Sequence, residues 1–166
     1  MSEIRNKISE SGLITLDMKS FKGSQKRFVI DIKNWLFNGM VLKEKIFREH
    51  LKNENWSQYE NTFVALNCSA DTIVPIWSYM LITKYLKPYS QCVVFGDEKS
   101  LERKIFEVNI DNLDLAEYKN KRVLLKGCTD IYIPDESYVQ ISNKLMGTVK
   151  SLMFGEACSN VPIFKA

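Results

Sequence analysis

The chain has 166 residues, of which 45% are hydrophobic and 26% charged, with a net charge of +3. That length suits one domain with a sizeable core, residues 1–166, and the small, scattered charge does not point to nucleic acid as a partner. No apolar run approaches the ~18 residues of a membrane span, and Met1-Ser2-Glu3-Ile4-Arg5 lacks the apolar core of a secretory signal, so a cytoplasmic protein is expected, in which a disulfide framework is not.

In chain order, Ser2 to Ser11 reads as a short helix. Leu13 to Met18 and Phe28 to Ile32 read as strands separated by the turn-prone Lys22-Gly23-Ser24, an N-terminal hairpin at one edge of a sheet. Leu42 to Leu51 is an amphipathic helix with Leu42, Ile46, Phe47 and Leu51 on one face. No linker rich in Pro, Ser or Gly follows, so residues 1–61 join the same domain as 62–166.

From Thr62 strands and helices alternate. Strands are expected at 62–67, 91–95, 121–126 and 149–154, and helices at about 74–86, 98–108 and 135–146. Such alternation predicts an α/β fold. Its form is a mainly parallel sheet of at least four strands with flanking helices, Rossmann-like in three layers, with the N-terminal hairpin and helices packed on it. Pro75 suits the first turn of its helix, and Gly96, Gly127 and Gly155 follow strands, where a tight turn is useful. Val94-Phe95-Gly96-Asp97 and Met153-Phe154-Gly155-Glu156 are alike, as repeated α/β units would be.

Three of the four cysteines, Cys68, Cys128 and Cys158, each follow an apolar run. If those runs are parallel neighbours in one sheet, the three thiols share the edge where open α/β folds bind ligands. Converging thiolates hold zinc or an iron–sulfur cluster, so these three are the candidate metal ligands. Asp71, Asp130 or Glu156 would supply a fourth ligand or a supporting hydrogen bond. The blander alternatives are a cysteine acting as a small buried hydrophobe, which is preferred for Cys92 inside its strand, and Asp71 acting as a helix N-cap. Cys68 also sits where a nucleophile would, but the only histidine, His50, falls on the polar side of its helix, so a Cys–His pair is not expected. No phosphate-binding glycine loop occurs. Trp35, Trp56, Trp77 and Tyr79 read as core or interface residues, with Trp77 and Tyr79 placed to wall a pocket near Cys68.

Several segments together carry a family resemblance. They are Ser11-Gly12-Leu13-Ile14-Thr15, Asp31-Ile32-Lys33-Asn34-Trp35-Leu36, Glu44-Lys45-Ile46-Phe47-Arg48, Trp56-Ser57-Gln58-Tyr59, Cys68-Ser69-Ala70-Asp71 with Pro75 and Trp77, Lys126-Gly127-Cys128, and Phe154-Gly155-Glu156-Ala157-Cys158-Ser159-Asn160-Val161-Pro162. The chain resembles, over nearly its whole length, the bacterial family called domain of unknown function 2480. The resemblance brings no activity with it. It implies an association with sulfur-mobilisation genes, and hence iron–sulfur assembly proteins as partners. The expectation is therefore a three-cysteine zinc or iron–sulfur protein, accessory to cluster assembly. The alternatives are a metal-independent interaction module with inert cysteines and a small metalloenzyme with an open coordination position.

Overall fold

A computed structural model describes residues 12–166, so the expected helix at 2–11 lies outside the described residues. The fold is mixed α/β. Its strands are β1 (Leu13–Asp17), β2 (Lys26–Asp31), β3 (Thr62–Asn67), β4 (Cys92–Phe95), β5 (Arg122–Lys126), β6 (Ser151–Glu156) and β7 (Ser159–Lys165). Its α-helices are α1 (Glu44–Asn53), α2 (Ile76–Leu86), α3 (Glu98–Asp111) and α4 (Asp135–Leu145). None of the described helices is long and apolar enough to cross a membrane.

The strands form two sheets, not one. One has the order β1-β5-β6-β7 and the other β2-β3-β4. All pairings are parallel except β6 with β7. The N-terminal hairpin is not formed. β1 lies along β5 and β2 along β3, both parallel, because each strand feeds a different sheet. β7 follows a two-residue turn and adds a strand beyond those expected. The described backbone divides accordingly into two compact units, one of residues 12–23 and 106–166, the other of residues 24–105.

The two units repeat one design. Residues 42–97 and 101–156 align without a gap at a spacing of 59. The pairs Phe47/Phe106, Tyr59/Tyr118, Asn61/Asn120, Pro75/Pro134, Ser78/Ser137, Tyr79/Tyr138, Ile82/Ile141, Leu86/Leu145, Phe95/Phe154 and Gly96/Gly155 are identical. Identity extends to backbone roles. Asn61 and Asn120 both adopt positive φ, 56° and 57°, and both donate to a loop carbonyl at the same relative position, Tyr89 and Thr148. Asparagine tolerates that region better than other side chains. Ser78 and Ser137 are buried and donate their amides to Pro75 and Pro134.

The first strand of each design repeats at a shorter spacing. Leu16-Asp17-Met18-Lys19 matches Ile30-Asp31-Ile32-Lys33. Each aspartate ends its strand and accepts the amide two residues on, from Lys19 at 2.8 Å and Lys33 at 3.0 Å, opening a 3-10 turn. The 24–105 unit is therefore inserted after the first strand of the other.

Each unit has its own core. In the 24–105 unit, Phe47 and Leu51 of α1 and Ile82 and Leu86 of α2 pack on Ile30, Val64 and Leu66. In the other, Phe106 and Ile110 of α3 and Ile141 and Leu145 of α4 pack on Leu16, Val123 and Leu125. The buried positions of α1, Phe47 and Leu51, recur as Phe106 and Ile110, so the same apolar spacing drives both helices onto their sheets.

Candidate functional site

The cysteines do not form the expected cluster. Cys68 leaves β3 in the three-stranded sheet, whereas Cys128 leaves β5 in the four-stranded one. Cys158 is exposed in the turn between β6 and β7. The three therefore do not line one edge of one sheet. Among the described residues no group of three or more His, Cys, Asp or Glu side chains is placed to hold a metal ion. The three-cysteine zinc or iron–sulfur site, and the accessory role in cluster assembly built on it, are overturned. The reason is topological, since thiols converge at one edge only when their strands share a sheet. Even within the repeat Cys68 and Cys128 are not equivalent. Cys68 corresponds to Gly127, and Cys128 to Ser69.

The companion carboxylates have other settings. Asp71 and Asp130 are exposed at equivalent turn positions. Asp71 does not cap α2, whose N-cap is Pro75 without a side-chain hydrogen bond, and α4 starts the same way at Pro134. Glu156 pairs with Lys126 at 3.2 Å on the surface. Cys92 is half-buried in β4. His50 is exposed on α1. Trp77 packs edge-on against Phe47, while Tyr79 does wall an apolar groove.

That groove is one of an equivalent pair. In the 106–166 part of its unit, Leu125, Tyr138, Ser142, Leu152, Met153, Phe154 and Ile163 enclose a pocket of about 240 Å³. In the 24–105 unit, Leu66, Tyr79, Thr83, Val93, Val94 and Phe95 occupy the matching positions and, with Ile76 and Met80, line a groove of about 510 Å³. Each has the same aromatic wall. Tyr138 meets Phe154 edge-to-face at 5.6 Å and 89°, and Tyr79 meets Phe95 at 5.0 Å and 87°. Strand and helix set this geometry together. The phenylalanine is the last large residue before the exit glycine, and the tyrosine lies in the first turn of the helix that follows the preceding strand.

The two differ in how they are closed. Ile163 of β7 lines the smaller pocket, and the larger has no such strand beside it among the described residues. At the smaller pocket a Cβ on Gly127 would lie 3.2 Å from the Tyr138 hydroxyl oxygen and 3.3 Å from the Phe154 ring, so the glycine lets the backbone approach this wall. Burial pushes the Tyr138 phenol up. The Cys128 backbone amide beside it pulls the other way, and the Cys128, Asp135 and Asp17 side chains add to the rise. The hydroxyl is thus held neutral, able to donate and accept. Burial likewise pushes Tyr79 up, helped by Cys68 and Asp31. Beside it, Asp31 accepts from the Ser69 amide at 3.0 Å and from the Ser69 hydroxyl.

This is a duplicated α/β protein whose two units each carry an apolar, tyrosine-walled recess between a helix and the strands of its sheet. The chain belongs to the family described as protein of unknown function (DUF2480), whose model matches residues 2–166. No curated protein and no solved structure matches the chain.

Proposed function

We propose that the protein binds a small uncharged molecule with an apolar body and one hydrogen-bonding group, in the pocket between β6, β7 and α4. The observation that carries this reading is the repetition of the same recess, aromatic wall included, at equivalent residues of both units. A concave site with mostly apolar lining and a few polar groups is what small-molecule recognition requires. Leu125, Leu152, Met153 and Ile163 supply the apolar lining. Tyr138 and Ser142 supply the hydroxyls. Among the described residues no carboxylate, amine or imidazole lines the pocket, which disfavours a charged ligand.

The test is a protein-observed NMR titration with 4-propylphenol and with 4-propyltoluene, which has the same body but no hydroxyl. Saturable shifts centred on β6, β7 and α4, with the phenol binding more tightly, support the reading. Shifts absent from these elements at millimolar ligand contradict it.

A further inference from the structure

A small hairpin at residues 37–41 of the 24–105 unit turns apolar side chains outward. Asn38 and Gly39 both have positive φ, 52° and 68°, the pairing that an Asn-Gly turn favours. The arms meet at Phe37 and Val41, where the Phe37 amide donates to the Val41 carbonyl at 2.7 Å. The base is anchored, because Trp35 and Leu42 pack on the core of the unit. The outer side chains are not covered. Met40 is 64% exposed, Val41 55% and Phe37 39%. The hairpin belongs to neither of the repeated stretches 42–97 and 101–156, so the shared fold does not account for it.

A second loop adjoins it. The Thr72 hydroxyl donates to the Met40 carbonyl at 2.6 Å, which ties the hairpin to the segment between β3 and α2. The next residue, Ile73, is 94% exposed, and Ile76 at the start of α2 is 68% exposed. Their counterparts in the other unit are Tyr132 and Asp135, which offer polar groups to water. The apolar surface is therefore particular to one unit. Cations border it. Lys43 Nζ stands 3.2 Å from the Phe37 ring centroid, and Lys33 is exposed in the turn that leads into the hairpin. Among the carboxylates of these segments, Asp31 is engaged by Ser69 and Glu44 by Arg48, while Asp71 is exposed.

We propose that the hairpin and the Ile73 loop insert shallowly into the surface of a bilayer containing anionic lipid, with Met40, Val41 and Ile73 among the upper acyl chains and Lys33 and Lys43 at the headgroup phosphates. Exposed apolar patches rimmed by polar residues mark protein or membrane contacts, and two features favour the membrane here. The apolar groups stand out from two loops, and a side chain as exposed as Ile73 needs a shaped cavity on a protein partner, whereas fluid acyl chains close around it without one. The bordering lysines match anionic headgroups, and each adds attraction near such a surface. Apolar insertion combined with electrostatic attraction is how peripheral proteins hold a bilayer, and it requires no spanning helix. The proposal does not depend on the pocket between β6, β7 and α4, because it concerns the other unit.

Co-sedimentation of the full chain with vesicles tests it. The wild type is expected to bind vesicles of phosphatidylcholine with about 30% phosphatidylserine, and to bind pure phosphatidylcholine more weakly. Met40→Ser combined with Ile73→Ser should lower the partition coefficient at least about tenfold with unchanged circular dichroism. Lys33→Gln combined with Lys43→Gln should remove the preference for anionic vesicles. Val139→Ser, at a position 72% exposed in the other unit, should change nothing. Spin-labelled lipid in bicelles should broaden the amide resonances of Met40, Val41 and Ile73 most strongly. Absence of binding at ~1 mM anionic lipid overturns the proposal, since one inserted acyl chain holds a protein at that concentration. So does binding that the Met40/Ile73 double variant retains in full, or binding that is equal on neutral and anionic vesicles. Broadening centred on β6, β7 and α4 also overturns it, in favour of lipid uptake by the pocket. A wild type that ignores vesicles while its Met40 and Ile73 resonances shift with an added protein overturns it in favour of a protein partner.

Discussion

Replacing Gly155 with alanine tests the hairpin that closes the pocket. Gly155 has φ of +127°, and a Cβ there would fall 2.6 Å from the Ser159 carbonyl oxygen and 3.2 Å from the Asn160 Cα. Two costs combine. A side chain in this region of backbone space is strained by about 1–3 kcal/mol. The close atoms are backbone, so the β6–β7 turn must open instead of a side chain rotating away. Together these predict a loss of about 2–4 kcal/mol. Gly147 is the control. Its φ is +88°, and a Cβ there would meet nothing within 4 Å, so Gly147→Ala should lose only about 1–2 kcal/mol. Urea unfolding followed by circular dichroism gives both values. Gly155→Ala should also broaden the β7 amide resonances and weaken 4-propylphenol binding, since Ile163 lines the pocket. Equal losses for the two variants, with β7 undisturbed, would refute the steric argument.

Tyr138→Phe should leave the unit folded and weaken 4-propylphenol about two- to tenfold, the ~0.5–1.5 kcal/mol of one hydrogen bond, while leaving 4-propyltoluene unchanged in the same titration. Glu102→Ala removes the carboxylate that holds Arg27 of β2 through two guanidinium nitrogens in a half-buried setting. Urea unfolding should show a loss of about 1–3 kcal/mol. The Asp31 carboxyl is held below its ordinary range. Burial alone would raise it, but the Ser69 hydroxyl, the Lys33 and Ser69 amides and the Lys33 charge outweigh burial. Its contribution is therefore present above the unfolded carboxylate range and is lost as pH falls through the lowered folded value. As pH falls below the ordinary carboxylate range, the hydrogen-exchange protection of the Ser69 amide, relative to its intrinsic rate, should drop, and Asp31→Asn should flatten that dependence.

Much of the fold is legible from local pattern. The apolar stretches within 62–67 and 121–126, Phe63 to Leu66 and Val123 to Leu125, are strands because continuous burial leaves them no polar face. The helices after Pro75 and Pro134 start where proline permits. What local pattern does not encode is which strands share a sheet. Placing Cys68 and Cys128 on one edge requires that information, and the metal reading fails with it. The missing signal is present in the chain as the gapless spacing of 59 residues, of which the four-residue Phe-Gly match is only the most visible part. β7 escapes because Pro162 argues against a strand, an argument that holds for central strands but not for the outer edge that β7 forms. The pocket is not legible as a motif. Its lining comes from β5, α4, β6 and β7, and no short segment contains enough of it to stand out, although the sequence does place Tyr79 at the wall of a recess.

The most direct test of ligand binding in the β6–β7–α4 pocket is an isotope-filtered NOE spectrum of the protein with 4-propylphenol. The propyl protons should show cross-peaks to the methyl groups of Leu125, Leu152 and Ile163, with the ring protons near Tyr138 and Phe154. Cross-peaks confined to Ile76, Met80 and Val93 in the other unit, or none at saturating ligand, would contradict the account.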